Sequence, residues 1–220
     1  MKRLEIIWHA VLILAFTLAV SLLSFNIVLR LPETYLFHFN DTQAPGQMRT
    51  SVSGQDLAHA ITSYFNRPGG EDFQVYEQNG SYQDPLFSEE EALAMRRAKQ
   101  VMTVSLAGGL ASVGLTLFAY FYLYAKGDRA RLRATGKIAA LMGGSSIGIL
   151  LAVLNRSPWR HDLYQRWIGV DLKEDANLLL LLGSPFERVV SVFTALITLL
   201  AIGLFLYFHL RKTKEKRIFF

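Results

Sequence analysis

The strongest constraint on this chain is a set of long apolar runs, residues 6–29, 101–125, 138–154 and 189–210, set between polar connections. A helix needs about 20 mostly apolar residues to cross a bilayer, with roughly 17 the lower limit. In lipid a helix satisfies its own backbone, which a lone strand cannot do. The expectation is an all-α polytopic membrane protein: a four-transmembrane-helix bundle carrying a small extracytoplasmic cap of helices and a β hairpin. Charged residues make up only 19% of the chain, against about 25% in soluble domains. Met1-Lys2-Arg3 resembles the start of a signal peptide, but the run behind it is too long for an h-region and lacks a small-x-small cleavage site. It reads as a retained anchor.

Lysine and arginine in short loops set orientation. The connection 126–137 holds Lys126, Arg129, Arg131, Arg133 and Lys137 against Asp128 alone, and the tail 211–220 is also basic. Both are expected in the cytoplasm with both termini, which leaves the cap domain 30–100 and a second segment, 155–188, outside. The net charge of +5 belongs to these membrane-flanking loops, which face an anionic leaflet, and not to a nucleic-acid surface. The absence of cysteine removes disulfides, thiolate metal sites and a cysteine nucleophile. It fits a bacterial cytoplasmic membrane. Ala140, Gly144 and Gly148, and Ser105 and Gly109, recur every four residues, a spacing that lets helices approach closely. A ligand groove at residues 143–146 is the alternative. No run carries an acid or base at its centre, which argues against a pump, channel or transporter. His9 and His209 fall near the inner ends of their runs and read as interfacial.

The cap has its own local signals. Residues 34–39 (TYLFHF) read as a strand-like or interfacial segment. Ser53 with Asp56 caps an amphipathic helix whose stripe is Leu57, Ala60, Ile61, Tyr64 and Phe65, ended by Pro68-Gly69-Gly70. Asn79-Gly80 centres a hairpin, and Ser88 with Glu91 opens a helix that runs on into the second span. In the second outer segment Trp159 and Trp167 suit headgroup depth. The run 178–182 is too short to span, and Gly183-Ser184-Pro185 breaks it. This run and the stripe 57–65 are expected to share a surface roofing a lipid-accessible cleft.

No GxSxG, HExxH, Walker or GxGxxG motif is present. The candidate chemistry is titratable side chains at the outer interface. His161 stands out, flanked by Arg160 and Asp162 a few residues past the third run, because imidazole takes and returns a proton near neutral pH. The plain alternative is an interfacial histidine bonded to a carbonyl. His59 falls on the polar side of its helix, and His38 lies in an aromatic stretch and reads as interfacial. Arg96, Arg97 and Lys99 at the mouth of the second run either hold lipid phosphate or snorkel and pair with Glu89–Glu91.

Two stretches resemble the bacterial lipoprotein intramolecular transacylases (Lit). One is LFSEEEALAMRRAK, residues 86–99, before the second span. The other runs from Trp159-Arg160-His161 through Trp167, Asp175 and the leucine run to Ser184-Pro185-Phe186. The spacing of His161, Trp167 and Asp175 departs from the family's. The resemblance implies an acyltransferase that moves the sn-2 acyl chain of a diacylglyceryl-cysteine lipoprotein to the cysteine α-amino group, giving a lyso-form lipoprotein. It implies catalysis by His161 and a second histidine, substrate contacts from Arg96, Arg97, Trp159, Arg160 and Trp167, and orientation by Asp162 and Asp175. Its partners are diacylglyceryl lipoproteins and membrane lipid, with no metal or other cofactor. The second histidine falls at Ala94, which cannot titrate, so activity is expected to be weakened or lost there. The alternative is a non-enzymatic accessory or scaffold protein.

Overall fold

The structure, a computed structural model, describes residues 2–48, 50–69, 72–79, 82–154 and 176–213. Its elements are α1 (Lys2–Arg30), α2 (Pro32–Thr42), α3 (Ala44–Gln47), α4 (Gly54–Asn66), β1 (Tyr76–Asn79), β2 (Tyr82–Pro85), α5 (Glu89–Ala125), α6 (Arg129–Leu154), α7 (Asn177–Leu182) and α8 (Ser184–Lys212). Among the described residues three helices, within α1, α5 and α8, are long and apolar enough to cross a membrane. The expected third span, residues 138–154, lies in α6. The 37 residues of α5 extend for about 55 Å at 1.5 Å per residue, well beyond a hydrocarbon core of ~30 Å.

The polarity of the long helices is inverted relative to a soluble bundle. Leu14, Leu18, Val104, Phe121, Leu199 and Leu200 are exposed, whereas Ser24, Asn26, Thr116, Thr194 and Thr198 are buried. Water would penalise that arrangement, while lipid accepts the apolar faces, and Asn26 and Thr116 find acceptors in the Met102 and Ser112 carbonyls. The chain is a multi-pass membrane protein.

The chain divides into two compact units. The first comprises Met1–Ser24, Ser105–Leu150 and Ala195–Phe220. Leu12, Ala119, Leu123 and Leu132 form one core cluster, and Phe16, Val20 and Ala139 another, with Phe205 packed on it. The Phe16 and Phe205 rings lie 4.2 Å apart. Ser21 and Ser146 hydrogen-bond across helices at 2.9 Å. The small-residue expectation holds at Gly109, where a Cβ would come within 2.7 Å of Leu23. At Gly148 nothing lies within 4 Å. The closest approach, unanticipated, is at Gly136, where a Cβ would meet the His209 ring at 2.2 Å. His209 is 2% exposed, packed inside the protein. It hydrogen-bonds Tyr120 Oη and the Arg133 carbonyl and stacks on Phe205.

The second unit comprises Phe25–Val104 and Leu151–Thr194. Residues 34–39 are not strand-like but part of α2. Pro32 begins that helix, and Thr34, Tyr35, His38 and Phe39 form its buried stripe, a helical spacing that aromatic content disguises. On α4, Ser53 Oγ accepts the Asp56 amide as expected. β1 and β2 pair antiparallel, Asn79 opposite Tyr82. Aromatic rings fill the interior: Phe73 lies 5.0 Å from Phe87 and 5.3 Å from Tyr64, and Tyr35 stacks on Phe186 at 5.1 Å. At the end of α1, Asn26 donates to the Met102 carbonyl and accepts from Arg30 Nε. The Arg30 guanidinium continues to the Phe65 carbonyl and Asn66, capping the last turn of α4 with a cation.

Candidate functional site

Glu91 organises the start of α5. Ser88 Oγ accepts the Glu91 amide, and Glu91 Oε2 accepts the Ser88 amide at 2.7 Å, the reciprocal cap that the sequence announces. The other carboxylate oxygen does something the sequence does not announce. Glu91 is 4% exposed, and its Oε1 accepts the Leu178 amide at 2.6 Å, 87 positions along the chain. Asn177 Nδ2 donates to the Leu86 carbonyl beside it. α7 has six residues and no side-chain cap of its own, too short to hold together unaided. Glu91 supplies the missing acceptor.

His38 holds the opposite end. Its Nε2 lies 3.0 Å from the Leu181 carbonyl. A carbonyl only accepts, so Nε2 carries the proton and Nδ1 keeps the lone pair. That nitrogen is buried without a hydrogen-bond partner among the described residues. The ring packs on Phe186 and Phe39 and is 1% exposed, so it sits inside the cap and not on its surface. Burial holds its pKa below the ordinary range, partly offset by the Leu181 hydrogen bond and Asp41. α7 is thus clamped at both ends, with Leu178 and Leu181 buried between. α4 packs on α2, and α7 on α3. The stripe 57–65 and the run 178–182 therefore meet the cap largely through α2 and α3.

Ala94 lies one turn past Glu91, on the same buried face as Met95. At 1% exposure its methyl group is covered. The free space that a small residue suggests at position 94 is not there, and an imidazole would have to push its neighbours aside. Arg96 pairs with Asp72, Nε donating to Oδ1 at 2.8 Å and Nη2 to the same oxygen, not with Glu89–Glu91 as expected. Asp72 also raises its pKa, by hydrogen bonding and charge. Lys99 sits 4.3 Å over the Tyr64 ring, whose hydroxyl is pushed up in pKa by burial. Arg97 is partly buried beside Arg96, and His59 is exposed as expected. Trp159, Arg160, His161, Asp162, Trp167 and Asp175 lie outside the described residues, as does the expected cleft beside them. Among the described residues no cluster of His, Asp or Glu side chains could hold a metal ion.

This architecture is found among solved structures. The fold is similar to that of Lit. Three structures of Lit, the membrane-integral lipoprotein intramolecular transacylase of Bacillus cereus, superpose on almost the whole chain. A histidine-to-alanine variant aligns with a TM-score of 0.77 at 12% identity, covering 99% of this chain and 97% of that one. A histidine-to-arginine variant aligns at 0.70 and 11%, covering 96% and 94%. The third aligns at 0.70 and 12%, covering 96% and 98%. At that identity the likeness to Lit is one of fold. No protein-family model and no curated protein matches the sequence. The Lit-like architecture is therefore carried by helix lengths, cap and connectivity, with few shared residues.

Proposed function

We propose that the chain is a lipoprotein-modifying transacylase of the Lit kind, with four spans and both termini in the cytoplasm of a bacterium. The observation that carries this is the likeness to Lit along 96–99% of the chain, cap included. The substrate is a diacylglyceryl-modified lipoprotein. Its cysteine amine attacks the carbonyl carbon of the sn-2 ester. A C–N bond forms, the C–O bond to the glyceryl oxygen breaks, the amine loses a proton and the departing oxygen gains one. His161 moves the proton, a role worth about 10²–10⁴ in rate. Asp162 and Asp175 orient it. Arg96, Arg97 and Arg160 face headgroup phosphate, and Trp159 and Trp167 hold the segment at the interface. Presenting amine and ester on one molecule makes the reaction effectively unimolecular.

The covered Ala94 favours a second reading, a scaffold that keeps the fold without the chemistry. Product and substrate are isomers, so the test reads fragmentation and not total mass. The chain is expressed with a reporter lipoprotein in a host lacking other N-acylating enzymes, and the N-terminal peptide is analysed by tandem mass spectrometry. Expected is one acyl chain on nitrogen in the parent chain and none with His161→Ala. A free amine on a diacylglyceryl cysteine in both would sink the transacylase reading and leave the scaffold.

A further inference from the structure

The first unit ends in an aromatic cluster at the side where α1 begins and α8 finishes. Trp8 packs on Phe118 and Tyr122 at 5.2 and 5.4 Å, and Tyr120 stacks on Tyr124. Amphipathic rings of this kind mark the membrane–water interface. The chain turns there at Gly127 (φ 85°) and enters α6. Asp128 is the acid of this turn, and its Oδ1 is taken by the Arg131 amide at 3.0 Å.

Two guanidinium groups on α6 are incompletely partnered. Arg129 lies flat on Tyr124, its central carbon 3.2 Å from the ring centroid, and its Nη1 is closed off from solvent with no hydrogen-bond partner among the described residues. One turn on, Arg133 Nε is in the same state, while the Arg133 carbonyl is bonded to His209. Residues four apart share a helix face. Arginine does not shed its charge, and a buried donor without an acceptor is costly. The tyrosine face answers the charge but offers no lone pair in the ring plane. Arg131, between them, is exposed.

We propose that Arg129 and Arg133 form a binding site for a phosphate oxyanion. The source at this depth is the headgroup of an acidic phospholipid. Lys126, Arg131 and Lys137 add positive charge to the same short stretch of chain, and a zwitterionic headgroup would bring its own cation into that field. The site stands apart from the acyl-transfer reading and from either orientation of the chain, since it needs only the headgroup layer.

The test uses the full chain in a neutral detergent. Its melting temperature is followed against phosphatidylglycerol, phosphatidylcholine and inorganic phosphate. Phosphatidylglycerol should raise the midpoint for the parent chain and for Arg131→Gln, and leave Arg129→Gln/Arg133→Gln unmoved. Arg133→Lys, which keeps the charge and loses Nε, should need about tenfold more lipid, the factor that one charge-assisted hydrogen bond carries. It is the variant to read should the double one fail to fold. A rise with inorganic phosphate alone supports the oxyanion chemistry and overturns the lipid source. Equal loss in Arg131→Gln, or no response from the parent chain to any probe, overturns the site.

Discussion

Replacing Glu91 tests whether a side chain on α5 holds α7 in place. Glu91→Ala removes the acceptor of the buried Leu178 amide and of the Ser88 amide. An unsatisfied buried donor costs about 1–3 kcal/mol. Leu178 is buried and should bear that in full. Ser88 is exposed, so water takes over part of its bond. The local loss is then about 2–4 kcal/mol, counting both amides and the void left by the side chain. Glu91→Gln keeps one oxygen, which will turn to Leu178, and should lose only about 1 kcal/mol. The assay is hydrogen–deuterium exchange of residues 177–182 in detergent, beside a melting curve. At about 1.4 kcal/mol per tenfold, amides in α7 should exchange roughly thirty to several hundred times faster in Glu91→Ala and several times faster in Glu91→Gln. Rates within about threefold of the parent chain for Glu91→Ala would mean that the Glu91–Leu178 bond does not hold α7, and the clamp would be wrong.

Burial lowers the His38 pKa, so folding disfavours its protonated form. The stability this group contributes is complete above the ordinary histidine value, about 6.5, and is lost as pH falls through the lowered folded value. Melting followed from pH 7.5 downward should show this slope, and His38→Gln, whose amide can still donate to Leu181, should flatten it. An undiminished slope in that variant would move the effect elsewhere. Gly136→Ala drives a methyl group into the His209 ring and should cost about 1–3 kcal/mol, lowering the midpoint by several degrees. Gly148→Ala, with nothing within 4 Å, is the paired control and should be neutral or stabilising. For topology, cysteine in place of exposed Tyr82 should react with an impermeant maleimide from outside the cell, and cysteine in place of Arg131 should not. The opposite pattern would invert the chain.

What the sequence determined by itself is what short stretches encode. Apolar length announces helices able to cross a bilayer. Ser53 with Asp56 and Ser88 with Glu91 announce helix starts, because a cap is a bond between residues three apart. Asn79-Gly80 announces the hairpin, because turn geometry is a property of the turn residues. Tertiary structure decided the partners. His38 meets Leu181 across 143 positions and Glu91 meets Leu178 across 87. Arg96 takes Asp72 in place of three acids on its own helix. Gly136 makes room for the ring of the distant His209. The same holds for burial: Ala94 is covered, which its small side chain does not announce, and the aromatic segment 34–39 became a helix because its Thr34–Phe39 face had a core to enter. A side chain's period and cap are settled within one or two turns of chain. Its hydrogen-bond partner and its exposure depend on which distant surface packs against it, and that is chosen only when the whole chain folds.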